Sequence, residues 1–513
     1  YISTLYRSQH LTTAVNYKLI KMKLKVLSFA LLINFTSVCQ SLNILGIFPY
    51  QGKSHFFVFR VYLEELARRG HQVTVISHFP TETPVNNNYK DISLVGSGEI
   101  VENNIVQKNS YLVVMLTGLY LAKSGVEDCD TMLENKGVQE LWKSGKKFDV
   151  VVTEQFNSDC SLGLAYKLGS PVVALNSHIL MPWHYNRFGT PYNPSYVSFH
   201  FLEGGTKPTL FQRVERTIFD YFDDIPPLED LAKEIKFLLL YTNFPLTGSR
   251  LFPANVIEVG GYHIAKPKPD LAKFIEQSEH GVIYISFGSI VKSASLPKEQ
   301  FKSILEAVSE LPQRVVWKHE RPEYLLKYKN IFASKWLPQN DILAHPKTLA
   351  FFSHGGNLGT TEAIHNAVPV VSMPALGDQP ANSAAIEESG LGVQVQFQDL
   401  TKETLLEALK TILKPEFRKQ VKELSKVWHD RPISALDTAI YWTEFAVKHK
   451  NHTFRTAAAD VPLYQYLCLD VLAVLGVIAT LVVLITAISI SHFTQSKLKA
   501  LKKPASKAKS KKH

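Results

Sequence analysis

Residues 336–379 read WLPQNDILAHPKTLAFFSHGGNLGTTEAIHNAVPVVSMPALGDQ and contain the clearest structural signal in the chain. An apolar run, 349–353, ends in Ser353-His354-Gly355-Gly356, and a helical pattern follows over 358–366. The glycines leave backbone N–H groups uncovered, and the start of a helix adds partial positive charge. The pattern therefore predicts a strand, turn and helix that bind a diphosphate.

Other residues of this stretch suit the rest of a nucleotide sugar. Trp336 offers a flat apolar face for a uracil ring, and Gln339 can hydrogen-bond to the nucleoside. Glu362 can accept from two ribose hydroxyls, Asp378-Gln379 can bind sugar hydroxyls, and His354 can supply a donor or a positive charge. Each residue alone is more often core or turn, but chance explains their joint spacing poorly.

Two series of alternating strands and helices surround this stretch. The first begins with a strand over 42–48, a helix over 55–69 and a strand over 72–77, which predicts a parallel βαβ unit. The second begins at residue 281, and the two series join near residue 240. The sequence predicts two α/β domains with the active site in the cleft between them.

The residues quoted from 336–379 resemble the nucleotide-sugar signature of the UDP-glycosyltransferase family, and further matches cover nearly the whole body. The chain looks like an animal, insect-like, membrane-bound member. This resemblance implies the GT-B fold, in which two Rossmann-like domains face a cleft, plus one C-terminal transmembrane helix. It implies UDP-sugar contacts at Arg250, Ser289, Trp336, Gln339, His354, Gly355, Gly356, Gly359, Glu362, Asp378 and Gln379.

Two positions depart from the family pattern. Leu358 stands where many relatives carry a polar Asn, and the neighbouring Asn357 is given no phosphate role. Gly359 lacks the hydroxyl of many relatives, which leaves its backbone N–H to make that contact.

The resemblance makes His55, in the loop after the first strand, the catalytic base. An imidazole suits removal of a hydroxyl proton near neutral pH, and a carboxylate can orient it. Glu154 falls on the position of the family's catalytic aspartate, and Asp159 is the alternative. Asp128-Cys129-Asp130 has the form of a metal-binding DxD motif, but we interpret it as a helix-start or surface acid pair. We expect no metal and no cofactor besides the UDP-sugar co-substrate.

The net charge of +10 belongs to the two ends of the chain. Residues 1–41 hold five basic and no acidic residues, and 491–513 hold eight lysines and no acids. The remainder carries 43 basic and 46 acidic residues, so a nucleic-acid-binding body is not indicated.

The sequences at the two ends of the chain also predict targeting segments. We expect an upstream segment at 1–21, a signal peptide at 22–41, and a transmembrane helix at 471–490 followed by a cytosolic lysine-rich tail at 491–513. Lys509 and Lys511 resemble a dilysine retrieval signal, which favours the endoplasmic reticulum membrane with the body in the lumen. The remaining predicted units are an acceptor-binding domain at 42–240, a UDP-sugar-binding domain at 241–450 and a juxtamembrane segment at 451–470.

Three further features concern the body. Cys129 and Cys160 could pair in an oxidising lumen, and Asn451 begins a sequon that could be glycosylated. The aromatic and proline-rich stretch 182–227 either lines the substrate site or is a long irregular connection.

The predicted function is inverting, metal-independent transfer of a hexose from a UDP-sugar to a hydroxyl of a small lipophilic acceptor, as in detoxification. UDP-glucose is favoured, and UDP-glucuronate or a catalytically inactive sugar-nucleotide-binding protein are the alternatives. A retaining, phosphorylase-like enzyme would need a cofactor-binding lysine that the sequence does not locate. The expected partners are the UDP-sugar, the acceptor and the membrane, and assembly into a homo-oligomer stays open.

Overall fold

The computed structural model describes residues 41–98, 111–190, 229–265, 272–289 and 291–501. The upstream segment 1–21, nearly all of the signal peptide at 22–41, and residues 502–513 of the tail lie outside the described residues. Most of the stretch 182–227 lies outside them as well.

Two fully parallel sheets organise the described part of the chain. The first has the order β3-β2-β1-β4-β5-β6-β7 and the second the order β10-β9-β8-β11-β12-β13. The strands are β1 (Asn43–Phe48), β2 (Gln72–Ser77), β3 (Tyr89–Ser93), β4 (Val150–Glu154), β5 (Val172–Asn176), β6 (Phe237–Leu240), β7 (Val256–Glu258), β8 (Val282–Ser286), β9 (Arg314–Lys318), β10 (Ile331–Ser334), β11 (Thr348–Ser353), β12 (Val370–Ser372) and β13 (Gly392–Gln394).

Helices connect and cover these strands. They are α1 (Lys53–Arg68), α2 (Tyr111–Glu134), α3 (Lys136–Lys143), α4 (Cys160–Leu168), α5 (Pro182–Phe188), α6 (Glu229–Ala232), α7 (Phe244–Thr247), α8 (Ala272–Glu276), α9 (Lys298–Ser309), α10 (Gln339–Ala344), α11 (Asn357–His365), α12 (Gln379–Glu388), α13 (Lys402–Leu413), α14 (Pro415–His429), α15 (Ala435–Lys448), α16 (Leu463–Tyr466) and α17 (Leu469–Leu501).

Helices on both faces explain why the central strands are continuous apolar runs instead of alternating ones. Every residue of β4, β5 and β8 is buried. In the first sheet, α1 and α15 pack on one face while α2, α3 and α4 pack on the other. The predicted pair of α/β domains is confirmed.

The first sheet crosses residue 240, where the acceptor-binding domain was predicted to end. It continues to β7, which pairs with β6. Helix α15, inside the predicted second domain, also packs on this sheet, where the Tyr62 hydroxyl and Thr443 Oγ1 lie 2.5 Å apart. The chain therefore returns to its first domain after completing the second.

The order of the strands reverses at one point in each sheet, between β1 and β4 and between β8 and β11. Crevices at the carboxyl ends of strands beside such a reversal are the usual ligand sites of open α/β sheets. The loops after these four strands are therefore the first places to look for a site.

Helix α17 begins two residues before the predicted transmembrane run and extends beyond its end. Its segment Leu469–Leu498 is long and apolar enough to cross a membrane, and none of its most apolar window is buried within the protein. The structure thus describes one candidate membrane span in the region where the sequence predicts it.

Cys129 of α2 and Cys160 of α4 form a disulfide with a Cα–Cα distance of 5.8 Å. The two cysteines are 31 residues apart in the sequence, so loss of the disulfide is expected to lower the free energy of unfolding by about 4 kcal/mol. Denaturant unfolding of a Cys129→Ala/Cys160→Ala variant measures this. Cys468→Ala, which removes an exposed free thiol, is the control and should leave stability unchanged. Equal stability of all three proteins would contradict the prediction.

Candidate functional site

His55 and Glu154 meet at the reversal point of the first sheet. His55 lies in the first turn of α1, and Glu154 is the last residue of the neighbouring strand β4. Their Nδ1 and Oε1 atoms are 2.6 Å apart. Because an ionised carboxylate only accepts, this bond places a proton on Nδ1 and leaves Nε2 as a base.

Glu154 is held in place by its surroundings. It is only 7% exposed, and its Oε1 also accepts from Ser177 Oγ at 3.2 Å. Ser177 follows β5, the strand next to β4, so the sheet itself brings the hydroxyl to the carboxylate. Two donors on one carboxylate oxygen fix its orientation toward the imidazole.

Aromatic rings surround His55. The rings of Tyr50, Phe156 and His178 have centroids 5.0, 4.8 and 5.7 Å from that of His55. Burial, with a smaller contribution from His55, lowers the pKa of His178 to about 3, so this imidazole is neutral at pH 7. The His55 imidazole therefore lies against a wall of aromatic rings.

Asp159, the alternative partner of His55, is engaged elsewhere. Its carboxylate accepts from both terminal nitrogens of the buried Arg187, at 2.8 and 2.6 Å. A bidentate guanidinium pair is a strong and directional contact, which turns this carboxylate away from the imidazole. Of the two acids, Glu154 is the one in contact with His55.

The glycine turn after β11 has the predicted form. Gly355 has a φ of 77°, and Gly356 is the N-cap of α11 without a side-chain capping bond. A Cβ at Gly356 would lie 2.5 Å from His354 Nε2, so only glycine leaves this imidazole in place. The first N–H groups of α11, including that of Gly359, have no intrahelical partner and remain for an anion.

His354 itself is a neutral donor and not a cation. Burial first, and the charge of Lys318 second, lower its pKa to about 4. Lys318 ends β9, is 7% exposed, and donates to the Gly288 carbonyl at 2.8 Å and to Glu320 at 2.7 Å. Gly288 lies in the loop after β8, directly before the partly buried Ser289. A Cβ at Gly288 would lie 2.7 Å from His354 Nε2, so the loops after β8, β9 and β11 converge here.

A second cluster of polar side chains consists of Gln339, Glu362 and His263, and Trp336 lies three residues before Gln339. Gln339 Nε2 donates to Glu362 Oε2 at 2.6 Å, and Glu362 Oε1 is 3.2 Å from His263 Nε2. Trp336 is 56% exposed, and the ammonium of Lys53, from α1 of the first domain, lies 4.7 Å from its ring centroid. The predicted uracil and ribose contacts are thus adjacent, at an edge that the first domain reaches.

Asp378 and Gln379 follow β12 at the same edge. Burial raises the pKa of Asp378, while a hydrogen bond from Asn382 Nδ2, at 2.8 Å, and the charge of His55 act in the opposite direction. Gln379 Oε1 accepts from the backbone N–H groups of Ala375 and Leu376, at 2.8 and 3.0 Å. Only its amide nitrogen therefore remains as a donor for a sugar hydroxyl.

The structure also describes three other residues singled out in the sequence, Arg250, Asp128 and Asn451. Arg250 acts electrostatically on Glu258, beside β7. Asp128 lies within α2 and is 3% exposed, so its interpretation as a helix-start or surface acid is wrong. It accepts from Gln51 Nε2 at 3.1 Å, and burial raises its pKa to about 6. Asn451 is exposed, as a glycosylation acceptor must be.

Sequence reasoning missed four polar residues of the site: Lys53, Ser177, His263 and Lys318. Lys318 and Ser177 end or follow parallel strands, so the rule that sites lie at carboxyl ends could have indicated them. His263 carries no such signal, because its position depends on the packing of the chain after β7.

Lowering the pH from 7.5 to 4.5 is expected to destabilise the fold. Burial depresses the pKa of His178, His184, His354 and His365, the last two to about 4. Unfolded histidines bind protons below about pH 6.5, so the unfolded state gains protons between pH 6.5 and 4 that the folded state does not. Burial also lowers the pKa of His78 and His319, which adds to this effect. Burial raises the pKa of four carboxyl groups, Asp91, Asp128, Glu258 and Asp378, which acts in the opposite direction.

Calorimetry at the two pH values measures the effect, and we expect the melting temperature to fall by roughly 5 °C or more. A melting temperature that is equal or higher at pH 4.5 would show that these imidazoles are not kept neutral by burial.

The structure has two Rossmann-like domains, with the His55–Glu154 pair on the first and the glycine turn after β11 on the second. These features define a GT-B glycosyltransferase. The family model for UDP-glucuronosyl and UDP-glucosyl transferases matches residues 227–504. The chain belongs to this family and is a UDP-glycosyltransferase.

Relatives support this across nearly the whole chain. UDP-glucosyltransferase 2 of Dactylopius coccus is 33% identical over 493 residues, covering 88% of this chain and 93% of the relative. Human UDP-glucuronosyltransferase 2A2 is 31% identical over 498 residues, covering 87% and 91%.

Solved structures share the fold. Os79 from O. sativa, in complex with U2F and trichothecene, has a TM-score of 0.55 at 17% identity, covering 79% of this chain and all (100%) of that one. A UDP-glucosyltransferase from Polygonum tinctorium has a TM-score of 0.55 at 15% identity, covering 80% and 99%.

Proposed function

We propose that this protein transfers glucose from UDP-glucose to a hydroxyl of a small lipophilic acceptor, with inversion at the anomeric carbon and without a metal. The observation that carries the proposal is the 2.6 Å contact between His55 and Glu154, at the edge to which Asn357 of the second domain is hydrogen-bonded through the Ser177 carbonyl. A base and a sugar-binding acid on opposite domains are what a direct displacement needs.

The steps follow from the positions of these groups. His55 Nε2 removes the acceptor's hydroxyl proton as the oxygen attacks the anomeric carbon, and Glu154 stabilises the imidazolium that forms. UDP leaves with its bonding electrons, and the free N–H groups at the start of α11 stabilise the diphosphate charge. Neutral His354 adds a hydrogen-bond donor there.

The choice of glucose rests on charge. Arg250, the residue that could bind a glucuronate carboxylate, acts electrostatically on the acid Glu258 and lowers its pKa against the effect of burial. Asp378 would repel a carboxylate on the sugar. UDP-glucuronate remains the second candidate, because the glucuronosyltransferase relatives are nearly as similar as the glucosyltransferase ones.

The acceptor class rests on the rings around His55. Tyr50, Phe156 and His178 present aromatic surface to the base, which favours flat lipophilic hydroxyl compounds such as phenols, steroids or flavonoids.

A donor and acceptor screen tests the proposal. Membranes containing the protein are incubated with phenols, steroids and flavonoids, each with UDP-glucose and with UDP-glucuronate. We expect faster turnover with UDP-glucose on a shared acceptor. Clearly faster turnover with UDP-glucuronate would reverse the donor assignment, and no transfer with any pair would favour an inactive binding protein.

We further propose that α17 anchors the body in the lumen of the endoplasmic reticulum, with the lysine-rich tail in the cytosol. The apolar Leu469–Leu498 segment and the lysines after it support this orientation. Protease added to sealed microsomes is expected to remove only the tail. Digestion of the body in intact vesicles would overturn the orientation.

A further inference from the structure

Asn357 begins α11, directly after the glycine turn, but its side chain faces the other domain. Its Nδ2 donates to the carbonyl oxygens of Ser177 and Tyr241, both at 3.0 Å. Asn357 is only 6% exposed, and both of its amide protons are used. This side chain therefore binds the first domain and has no amide proton left for a phosphate.

The two carbonyls belong to the catalytic edge of the first sheet. Ser177 directly follows β5, and Tyr241 directly follows β6. The hydroxyl of the same Ser177 donates to Glu154 Oε1, which in turn contacts His55 Nδ1. Four residues thus form one continuous chain of hydrogen bonds, from the start of the diphosphate-binding helix to the imidazole.

We propose that Asn357 and Ser177 are positioning residues that hold the donor-binding turn in register with the catalytic base. The proposal rests on the proposed function, in which His55 deprotonates an acceptor bound between the domains and the acceptor oxygen attacks the anomeric carbon. Displacement requires the acceptor oxygen, the base and the anomeric carbon to align closely, and small misplacements cost large factors in rate. A buried amide that bonds two strand ends at once fixes the spacing between the domains at this point.

The kinetic signature differs from that of a donor ligand. Asn357→Ala is expected to lower kcat by about 10- to 100-fold, because alignment is lost. The dissociation constant of UDP should stay within about 2-fold, because the amide does not face the phosphates. Asn357→Asp keeps the size of the side chain, removes both donors and should behave like Asn357→Ala.

Ser177→Ala tests the second link through the pH profile. Without the hydroxyl, the Glu154 carboxylate loses one donor and interacts more strongly with the imidazolium of His55, which favours the protonated imidazole. The acidic limb of kcat/KM is therefore expected to move up by about half to one pH unit. Ser177→Thr keeps a hydroxyl and should restore the wild-type profile.

The experiment measures kcat, KM, the pH profile and UDP binding by calorimetry for these variants in the full-length protein, with melting temperatures alongside. Asn86→Ala is the matched control, because the Asn86 amide also donates to a backbone carbonyl, that of Ala67 at 2.9 Å, but within one domain. It should keep wild-type kcat even where its melting temperature falls.

Three outcomes would overturn the proposal: weaker UDP binding with unchanged kcat in Asn357→Ala, a loss of kcat no larger than in Asn86→Ala, or an unshifted acidic limb in Ser177→Ala. His55→Ala separates these outcomes from failure of the proposed function. If that variant stays active, the assignment of the base is wrong, whatever Asn357 does.

Discussion

Replacing His55 with alanine is expected to lower turnover by about 10²–10⁴-fold, the usual cost of removing a general base. Its Nε2 is the free basic atom at the catalytic edge, since Nδ1 is bonded to Glu154. UDP binding should change little, because the predicted nucleotide contacts, including Trp336, Gln339, His354 and Glu362, come from the second domain.

Single-turnover kinetics and UDP calorimetry on purified His55→Ala measure the two quantities separately. His280→Ala, which alters an exposed histidine, is the control and should match wild type. Glu154→Ala should cost less than His55→Ala, since Glu154 orients and stabilises the imidazole without touching the acceptor. Retention of most activity by His55→Ala on a hydroxyl acceptor would show that the mechanism is wrong.

Glu362→Ala is expected to weaken UDP binding by about 10²-fold or more. A carboxylate that accepts from two ribose hydroxyls contributes roughly 1.5–3 kcal/mol for each bond. The substitution also removes the acceptor of Gln339 Nε2 and the Glu362 contact of His263. His263 Nδ1 still contacts the Tyr241 hydroxyl.

Calorimetric titration with UDP measures this loss. Glu387→Ala removes an exposed acid from the next helix, α12, and is the matched control, with wild-type affinity expected. A dissociation constant within about 3-fold of wild type for Glu362→Ala would exclude a ribose contact at this position.

The sequence predicts best where local pattern and site chemistry coincide. The helix predicted over 358–366 is α11, and the strand predicted over 349–353 is β11, each within one residue. The apolar run, the glycines and the helix start lie within a few residues of each other there, so local interactions are enough to determine the structure of this segment.

Long-range packing sets what the sequence could not predict. β3 reads YKDIS and carries little apolar pattern, and its pairing with β2 makes it a strand. Helix α15 returns to the first sheet because Thr443 and the apolar residues beside it complete the surface around Tyr62. Neither segment carries a local sequence pattern that indicates the element with which it packs.

Long-range packing also decides which acid contacts His55. Glu154 ends β4 and Asp159 follows five positions later, so residue type and spacing allowed either acid to contact His55. Arg187, 28 residues beyond Asp159, decides between them by pairing with Asp159. The role of Asn357 was also beyond prediction, since its two acceptors lie in the other domain.

The most direct test of the central claim is the anomeric configuration of the product. The protein is incubated with UDP-glucose, whose glucose is α-linked, and a phenolic acceptor in the presence of EDTA, and proton NMR follows the anomeric signal from the first turnovers. Direct displacement assisted by His55 predicts a β-glucoside, with one UDP released for each glucoside formed. An α-glucoside, or transfer that stops when EDTA is added, would contradict the account.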